Sequence, residues 1–294
     1  MQEEVNLAIE ELIASEIGKP VRLVNRSVTH GGCIHQTEIV ETDNGMRFFV
    51  KTNDTAASDI FEREAEGLQA MEATQAIRIP KVIGYGSSGS VLFLVLEAIE
   101  SIARRHDFFA SMGQQLAQMH KMGRSEKFGF ESDNYLGSAI QENEWSEDWV
   151  RFWQQRRLGF QFEWARKNGY SDSEFNRLSD RMIGRCSAWL KSDVEPSLLH
   201  GDLWSGNFMV GEAGEPVLID PAVYYGHREA EFGMTTSFGG FDDSFYAAYQ
   251  EVFPPTEGFE ERVELYRLYH VLNHLNLFGA SYRSDCLRIM KKFA

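Results

Sequence analysis

The chain has 294 residues, of which 43% are hydrophobic and 13% aromatic, so it can bury one large core or two modest ones. This composition excludes disordered and fibrous classes. Acidic residues outnumber basic ones by 44 to 29, and the resulting net charge of -15 disfavours nucleic acid and anionic membranes as partners while tolerating cationic amines. We therefore expect a globular protein of two lobes.

Cysteine usage and hydropathy bear on the compartment. The three cysteines are an odd number without C-x-x-C spacing, which argues against a disulfide framework or a zinc site and for a reducing compartment. The first residues include Glu3 and Glu4 where a signal peptide carries basic residues, and no apolar run approaches the length of a membrane span. We expect a cytoplasmic protein, and the sequence leaves open whether it is a monomer or a homodimer.

The N-terminal third alternates between helical and strand patterns. Apolar residues at helical spacing from Val5 to Ile17 predict an amphipathic helix that Gly18 and Pro20 end. A second helix is predicted over residues 60–73. Five strands are predicted at 21–28, 37–41, 46–51, 80–86 and 91–97. An Asp-Asn-Gly turn joins the second strand to the third, so these strands are expected to form an antiparallel sheet.

Two motifs in the last third carry the strongest chemical signal. The run His200-Gly201-Asp202-Leu203-Trp204-Ser205-Gly206-Asn207 has the form H-x-D-L-x-x-x-N, and residues 217–219 form an apolar lead-in to Asp220. This is the layout of a phosphoryl-transfer loop and its metal-binding aspartate. Asp202 is the candidate catalytic residue that accepts or orients the proton of the attacking hydroxyl. Asn207 and Asp220 are the candidate magnesium ligands.

The predicted sheet offers matching groups for nucleotide phosphates. Gly31, Gly32 and Cys33 lie between its first two strands, where paired glycines let the backbone approach phosphate oxygens. Cys33 has two interpretations, an inert turn residue or an exposed thiol whose oxidation stops ATP binding. Lys51 ends the third predicted strand, and helical spacing predicts Glu64 on or near the inner face of the following helix. A strand lysine paired with a helix glutamate is the kinase device that holds α- and β-phosphates.

The character of the chain changes after Glu97. The remainder is mainly helical, and the junction is where the backbone of a kinase hinge meets adenine, so Glu97 is a candidate ATP-binding residue. We place an ATP-binding lobe at 1–98 and a catalytic and substrate-binding lobe at 99–294. The segment 128–157 is rich in aromatic and amide side chains, which suit a sugar or polar conjugate, although the same spacing also fits helix burial.

The order of these motifs resembles the protein kinase-like superfamily in its small-molecule branch, and more closely the fructosamine kinases, also called ketosamine-3-kinases. The resemblance covers nearly the whole chain. The motifs that carry it are His30 to Ile34, Phe128-Gly129-Phe130 with Asn134 to Gly137, Gln141-x-Asn143-x-Trp145, Trp149-Val150-x-Phe152 with Arg157-Leu158, His200 to Asn207, Ile219 to Ala222, His227 to Glu231, and Phe238 to Phe241.

The resemblance implies a bilobal α+β fold, with a five-stranded antiparallel sheet plus helix in one lobe and a mainly helical second lobe. It also implies an enzyme that uses ATP and Mg²⁺ to phosphorylate the O3 hydroxyl of ketosamines, small or protein-bound, which leads to deglycation. The residues that it places around the acceptor are Asn134, Asn143, Trp149, Arg157, Trp204 and Glu231. Neither the sugar nor the amine is specified.

Some features depart from related patterns. Asp220-Pro221-Ala222 replaces D-F-G, which argues against activation-loop phosphorylation and protein hydroxyls as substrates. His35 occupies a loop position where the fructosamine kinase pattern leads us to expect an amide or another small polar residue. Two alternatives remain, a kinase for an aminoglycoside or a choline-like alcohol, and a non-catalytic kinase fold that acts as a binding module. The presence of Lys51, Glu64 and Asp202 disfavours the second.

Overall fold

The computed structural model describes residues 2–29, 35–54, 59–237 and 239–294. The chain forms two compact units, Met1–Phe108 with Phe208–Asp220, and Phe109–Asn207 with Pro221–Ala294. The first unit therefore includes a short segment that follows the H-G-D motif in sequence. The lobe boundary between residues 98 and 99 stays a prediction, because a unit defined by contacts need not end where a functional lobe ends.

The first unit is built on a five-stranded antiparallel sheet, as the sequence predicted. The strands lie in the order β1-β2-β3-β5-β4, so β1 and β4 are its edges. Their bounds are β1 Leu23–Val28, β2 Gln36–Thr42, β3 Arg47–Asn53, β4 Val82–Ser88 and β5 Val91–Glu97. In the centre of the sheet, Lys51 of β3 lies opposite Thr37 of β2 and Leu94 of β5.

Two helices cover the two faces of this sheet. Helix α1 (Gln2–Ile17) buries Val5, Ile9 and Ile13 in a cluster that includes Val50 of β3. Successive side chains of a strand point to opposite faces, so Lys51 points away from α1. Helix α2 (Ile60–Glu72) packs on that second face. The alternation therefore keeps Lys51 beside a helix that can supply a partner for its charge.

A short hairpin completes the first unit. Its strands, β9 (Phe208–Val210) and β10 (Pro216–Leu218), pair antiparallel. The N–H of Leu218 donates to the carbonyl of Arg78 at 3.0 Å, which attaches the hairpin to the chain just before β4. This attachment holds Asp220, two residues after β10, in the same unit as Lys51.

The second unit is mainly helical, as predicted. Its helices are α3 Phe108–Met122, α4 Trp149–Phe152, α5 Phe160–Lys167, α6 Ser173–Trp189, α7 Phe232–Thr235, α8 Asp243–Val252, α9 Phe259–Phe278 and α10 Arg283–Phe293. A π-helical stretch, Trp153–Gly159, joins α4 to α5, and a 3-10 turn, Arg228–Glu231, precedes α7. Nowhere in the described ranges does a helix combine the length and apolar character needed to span a bilayer.

Two small strand pairs position the loops of this unit. Strand β6 (Asn134–Leu136) pairs with β7 (Ala139–Gln141), and β8 (Pro196–Leu199) pairs with β11 (Tyr224–His227). Strand β8 leads directly into the H-G-D motif. Strand β11 begins four residues after Asp220. The pairing of β8 with β11 therefore brings the chain just before the H-G-D motif next to the chain that follows Asp220.

Candidate active site

The loop that carries Asp202 makes a tight turn that requires glycine. Gly201 has a φ of +81°, and a Cβ there would lie 2.0 Å from the carbonyl oxygen of Ala222. The N–H of Ala222 donates to the carbonyl of His200 at 2.9 Å. The N–H of Asp202 in turn donates to His200 Nδ1 at 3.2 Å, so His200 braces the loop. The backbone of the turn is therefore fixed before any ligand binds.

Asn207 approaches Asp202 from the far end of the loop. Its Nδ2 donates to the Asp202 carbonyl at 2.8 Å and to Oδ2 of the Asp202 carboxylate at 3.1 Å. The N–H of Asn207 donates to the carbonyl of Trp204 at 2.9 Å. The half-buried indole of Trp204 packs over Gly206, where a Cβ would come within 2.4 Å of the ring. The structure thus places the predicted catalytic residue and one predicted metal ligand in contact.

A buried carboxylate holds the same loop from behind. Glu231 is 2% exposed and accepts hydrogen bonds from the N–H of His200 at 2.6 Å and of Gly201 at 3.0 Å. It also accepts a hydrogen bond from Nε2 of His120 at 3.4 Å. Nδ1 of the same histidine lies 2.8 Å from the hydroxyl of Tyr249. Burial raises the pKa of Glu231, but the hydrogen bond and charge of His120 and the bond from His200 outweigh it and lower that pKa. Glu231 therefore remains a carboxylate that fixes the turn.

In the first unit, one buried ammonium joins two carboxylates. Nζ of Lys51, 3% exposed, lies 2.7 Å from Oε1 of Glu64 and also donates to Asp220. Burial alone would lower the pKa of Lys51, but the two carboxylates outweigh it and raise the pKa. Burial raises the pKa of Glu64 against the opposing effect of Lys51. The structure thus brings together the strand lysine, the helix glutamate and the aspartate that the sequence singled out.

The charge and backbone of this cluster suit a cationic ligand. Two carboxylates and one ammonium carry a formal charge of -1, so the group attracts a divalent cation. Asp220 has a φ of +55°, a left-handed conformation uncommon for residues other than glycine. Backbone strain of this kind concentrates at functional sites, where the surrounding structure enforces it. The side chain of Asp220 is 38% exposed, which leaves its carboxylate accessible to solvent and ions.

Glu97 is hydrogen-bonded to neighbouring residues of the first unit. Its carboxylate accepts from the guanidinium of Arg78 and, at 3.0 Å, from the N–H of Lys81, while its own N–H donates to the Lys81 carbonyl at 2.9 Å. Burial raises the pKa of Glu97, but these bonds outweigh it and lower the pKa. Contact with adenine stays a prediction for Glu97. The predicted phosphate-loop residues Gly31, Gly32 and Cys33 lie outside the described residues, as do His30, Ile34 and Phe238.

Asn134 is a buried link to the chain around Ala222. Its Nδ2 donates to the carbonyl of Val223 at 2.7 Å, and its Oδ1 accepts from Nε2 of Gln141 at 2.8 Å. The same Gln141 nitrogen donates to the Ala222 carbonyl at 2.9 Å, the oxygen that closes over Gly201. These contacts favour a role in positioning the catalytic loop, and direct contact with substrate stays a prediction for Asn134.

Arg157 and Asn143 form a second buried support. Arg157 is fully buried within the π-helical stretch and donates from Nη2 to Oδ1 of Asn143 at 2.8 Å. Its guanidinium carbon lies 4.1 Å from the ring centroid of Tyr224, at the start of β11. Trp149 is also fully buried, and its Nε1 donates to the hydroxyl of Tyr266 at 3.0 Å. For these residues too, substrate contact stays a prediction.

Sequence reasoning missed the residues that complete these supports. Tyr249 and Tyr266 lie on helices α8 and α9, and nothing in the local sequence reveals which polar group each hydroxyl contacts. The buried pair in which Nε of Arg262 donates to Oε2 of Glu229 at 2.7 Å was also missed. The three charged residues within residues 228–231 were a signal that charged partners lie nearby. Long-range polar partners of this kind become visible only once the helices are packed.

These two groups of residues define the class of protein. A buried lysine-glutamate pair with an aspartate, and an H-G-D loop with its asparagine, on a five-stranded sheet and a helical unit, are the parts of a phosphotransferase with a protein kinase-like fold. The predicted α+β fold and enzyme class are confirmed.

The chain belongs to the fructosamine kinase family, whose model, described as fructosamine kinase, matches residues 5–294. It is 45% identical to the protein-ribulosamine 3-kinase, chloroplastic, of Oryza sativa subsp. indica, over 97% of this chain and 83% of that protein. It is 40% identical to a probable ketoamine kinase of Synechocystis sp., over 97% and 95% of the two chains.

A solved structure gives the same result. The one from Haemophilus somnus 129PT that carries the name of a fructosamine-3-kinase superposes with a TM-score of 0.88 at 27% identity, over 97% of this chain and 96% of that one. The family predicted from the sequence is therefore confirmed, and family membership implies a nucleotide as the phosphoryl donor.

Proposed function

We propose that the protein transfers the γ-phosphoryl group of ATP to the O3 hydroxyl of ketosamines, sugars joined to an amine through a ketoamine. One observation carries this proposal. The chain is 45% identical to a protein-ribulosamine 3-kinase along 97% of its length, and its sequence contains the phosphotransfer residues Asp202, Asn207, Lys51, Glu64 and Asp220. A phosphate on O3 is attached to C3, next to the C2 carbonyl. Loss of a proton from C1 gives the C1–C2 enol, from which the C3–O bond breaks and phosphate leaves, and hydrolysis of the resulting imine by water releases the amine.

Asp202 receives the proton of the acceptor. As the bond between O3 and the γ-phosphorus forms and the bond from that phosphorus to the β-phosphate oxygen breaks, the O3 proton passes to the Asp202 carboxylate. The hydrogen bond from Asn207 Nδ2 to Oδ2 limits rotation of that carboxylate. Glu231 and Gly201 hold the backbone that carries it, so the carboxylate is oriented before substrate arrives.

Lys51 would offset the negative charge of the phosphates, together with a cation held by Asn207 and Asp220. The raised pKa of Lys51 keeps its ammonium protonated, so it can bind phosphate oxygens while Glu64 fixes its position. Magnesium, when bound, screens the phosphates, and its ligands from this chain would be the amide oxygen of Asn207 and the carboxylate of Asp220. In the described part of the chain, no three His, Cys, Asp or Glu side chains form a ready-made metal site, and magnesium typically needs only one or two carboxylates beside phosphate and water.

An acceptor panel tests the proposal. ADP release would be measured with ATP and magnesium against lysine glycated with glucose, ribose or erythrose, and against aminoglycosides and choline. We expect turnover with the ketoamines, and phosphorus NMR should locate the phosphate on O3. Turnover confined to aminoglycosides or choline would overturn the proposed substrate class.

Asp202→Asn tests the mechanism with the same assay. The amide cannot accept the O3 proton, so kcat should fall by about 1,000-fold, the middle of the range for loss of a general base, while the dissociation constant for ADP changes little. Asp193→Asn, at an exposed aspartate in the same unit, is the matched control and should retain full activity. Unchanged turnover in Asp202→Asn would show that the assigned base is wrong.

A further inference from the structure

His35 lies on the face of the sheet that carries Lys51. Thr37 pairs with Lys51 and Gln36 with Thr52, so continuing the register places His35 opposite Asn53. Side chains alternate between faces along a strand, which puts His35 and Asn53 on the side of Lys51 and α2, and Gln36 on the other side. The ring of His35 packs against Phe61 of α2 with centroids 5.0 Å apart. His35 is thus next to the lysine that binds phosphate.

The contact with Asn53 fixes which nitrogen of His35 carries a proton. Nδ2 of Asn53 lies 3.0 Å from Nδ1 of His35, and an amide nitrogen can only donate. Nδ1 is therefore the acceptor, and the proton of a neutral imidazole is on Nε2. No hydrogen bond from Nε2 is found among the described residues, and this nitrogen is on the edge of the ring away from Asn53.

The electrostatic surroundings keep the ring neutral. Burial, followed by the positive charge of Lys51, lowers the pKa of His35 to about 4, and Asp220 opposes this only partly. The strand register and the contact with Phe61 place the ring on the same face of the sheet as Lys51, beside the helix that carries Glu64. A neutral ring with a fixed Nε2–H provides a hydrogen-bond donor there without adding a charge.

We propose that His35 is a nucleotide-binding residue whose Nε2–H donates a hydrogen bond to a phosphate oxygen of the nucleotide held by Lys51. This inference rests on the proposed ATP-dependent phosphotransfer and adds a donor that the general kinase pattern does not supply. Asn53 and Phe61 act as positioning residues, because one sets the tautomer and the other the plane of the ring. A hydrogen bond to a charged acceptor predicts an effect on affinity on the order of 10-fold.

Three substitutions of His35 separate the two edges of its ring. In His35→Gln the amide nitrogen reaches the place of Nε2, in His35→Asn only the place of Nδ1, and in His35→Phe the packing remains without either nitrogen. We expect calorimetry to give dissociation constants for ADP that rise about 10-fold in the Asn and Phe variants and less in the Gln variant. Affinity for adenosine, which lacks phosphate, should stay constant throughout.

A residue on the opposite face of the same sheet provides the control for the His35 variants. Gln36→Ala, at the neighbouring exposed residue on the other face, should leave the dissociation constant for ADP unchanged. Equal affinity for ADP in wild type and His35→Phe would overturn the proposal, as would an equal loss for adenosine. Melting temperatures within a few degrees of wild type would confirm that each variant is folded.

Nitrogen NMR of the imidazoles gives a readout that does not depend on activity. Long-range ¹⁵N–¹H correlations, with the His35 signals assigned by their loss in His35→Gln, should show a neutral ring protonated at Nε2, and ADP should shift the Nε2 resonance. A ring protonated at Nδ1 would contradict the proposal. Failure of wild type to bind ADP at all would instead contradict the proposed function, so the two failures are distinguishable.

Discussion

In the first unit the residues proposed to function contact one another directly, whereas in the second Asn207 contacts Asp202 and a further layer of buried residues holds their loop. Lys51 contacts Glu64 and Asp220 directly, and all three are among the residues proposed to bind nucleotide and metal. The turn at His200 and Gly201 is instead held by Glu231, which His120 contacts in turn. A change in the first unit should therefore alter binding at once, whereas a change in the supporting layer should act first on stability.

Lys51→Met should show the largest effect among tests of this contrast. It removes the cation between the largely buried carboxylate of Glu64 and the partly exposed one of Asp220, which then repel both each other and the nucleotide phosphates. Loss of a charge-assisted contact predicts that the dissociation constant for ATP rises by about 10- to 100-fold. Isothermal titration calorimetry with magnesium and ATP measures this directly.

The matched control is another lysine of the same unit. Lys81 has a side chain that is 57% exposed and pairs with Glu16 at 2.8 Å, so Lys81→Met should leave the affinity for ATP unchanged. If Lys51→Met bound ATP as tightly as wild type, the buried cluster would be structural and the contrast between the two units would disappear.

The second unit should be sensitive to mild acid. Burial lowers the pKa of His227 and of His270 from 6.5 to about 3 each. Below pH 6.5 the unfolded chain binds protons at these residues and the folded chain does not, so the free energy of unfolding falls as the pH drops from 6.5 towards 3. Each residue contributes up to about 1.4 kcal/mol per pH unit in this range.

Denaturant unfolding at a series of pH values measures this slope. His227→Gln keeps a neutral polar side chain near the hydroxyl of Tyr266, which lies 2.8 Å from His227 Nδ1, and should make the dependence on pH less steep. If His227→Gln shows the same slope as wild type, the folded protein does not hold His227 in its neutral form.

Local sequence patterns predicted the first unit well. Alternating strands, an Asp-Asn-Gly turn and a helix soon after Lys51 are short-range features, and the pairing of Lys51 with Glu64 follows from two consecutive elements that pack together. The family, by contrast, followed from motifs spread over nearly the whole chain. The left-handed backbone of Asp220 did not, because its neighbours contain no signal for that conformation.

The supporting layer of the second unit could not be predicted in the same way. His120 contacts Tyr249 and Glu231, which are 129 and 111 positions away in sequence, so no local pattern around His120 indicates either partner. The π-helical stretch Trp153–Gly159 arises between two helices with no proline to mark it. The aromatic and amide pattern of 128–157 fitted both substrate binding and burial, and contacts such as that of Trp149 with Tyr266 favour burial for its largest members.

Trp149→Phe should distinguish substrate binding from burial as the role of Trp149. Its effect should be the smallest among these variants. The ring remains large enough to pack, but the hydrogen bond from Nε1 to the Tyr266 hydroxyl is lost, which should lower the free energy of unfolding by about 1 kcal/mol. Because the side chain is fully buried, KM for the ketoamine should stay within about twofold of wild type. Denaturant titration and steady-state kinetics measure the two quantities.

Tyr266→Phe removes the same hydrogen bond from the other side and is the matched comparison. It also removes the contact with His227, so its loss of stability should exceed that of Trp149→Phe. The double variant should lose less than the sum of the two single variants, because the shared bond is counted once. A tenfold rise in KM for the ketoamine in Trp149→Phe, with unchanged stability, would instead place Trp149 at the substrate and restore the role that the sequence suggested for it.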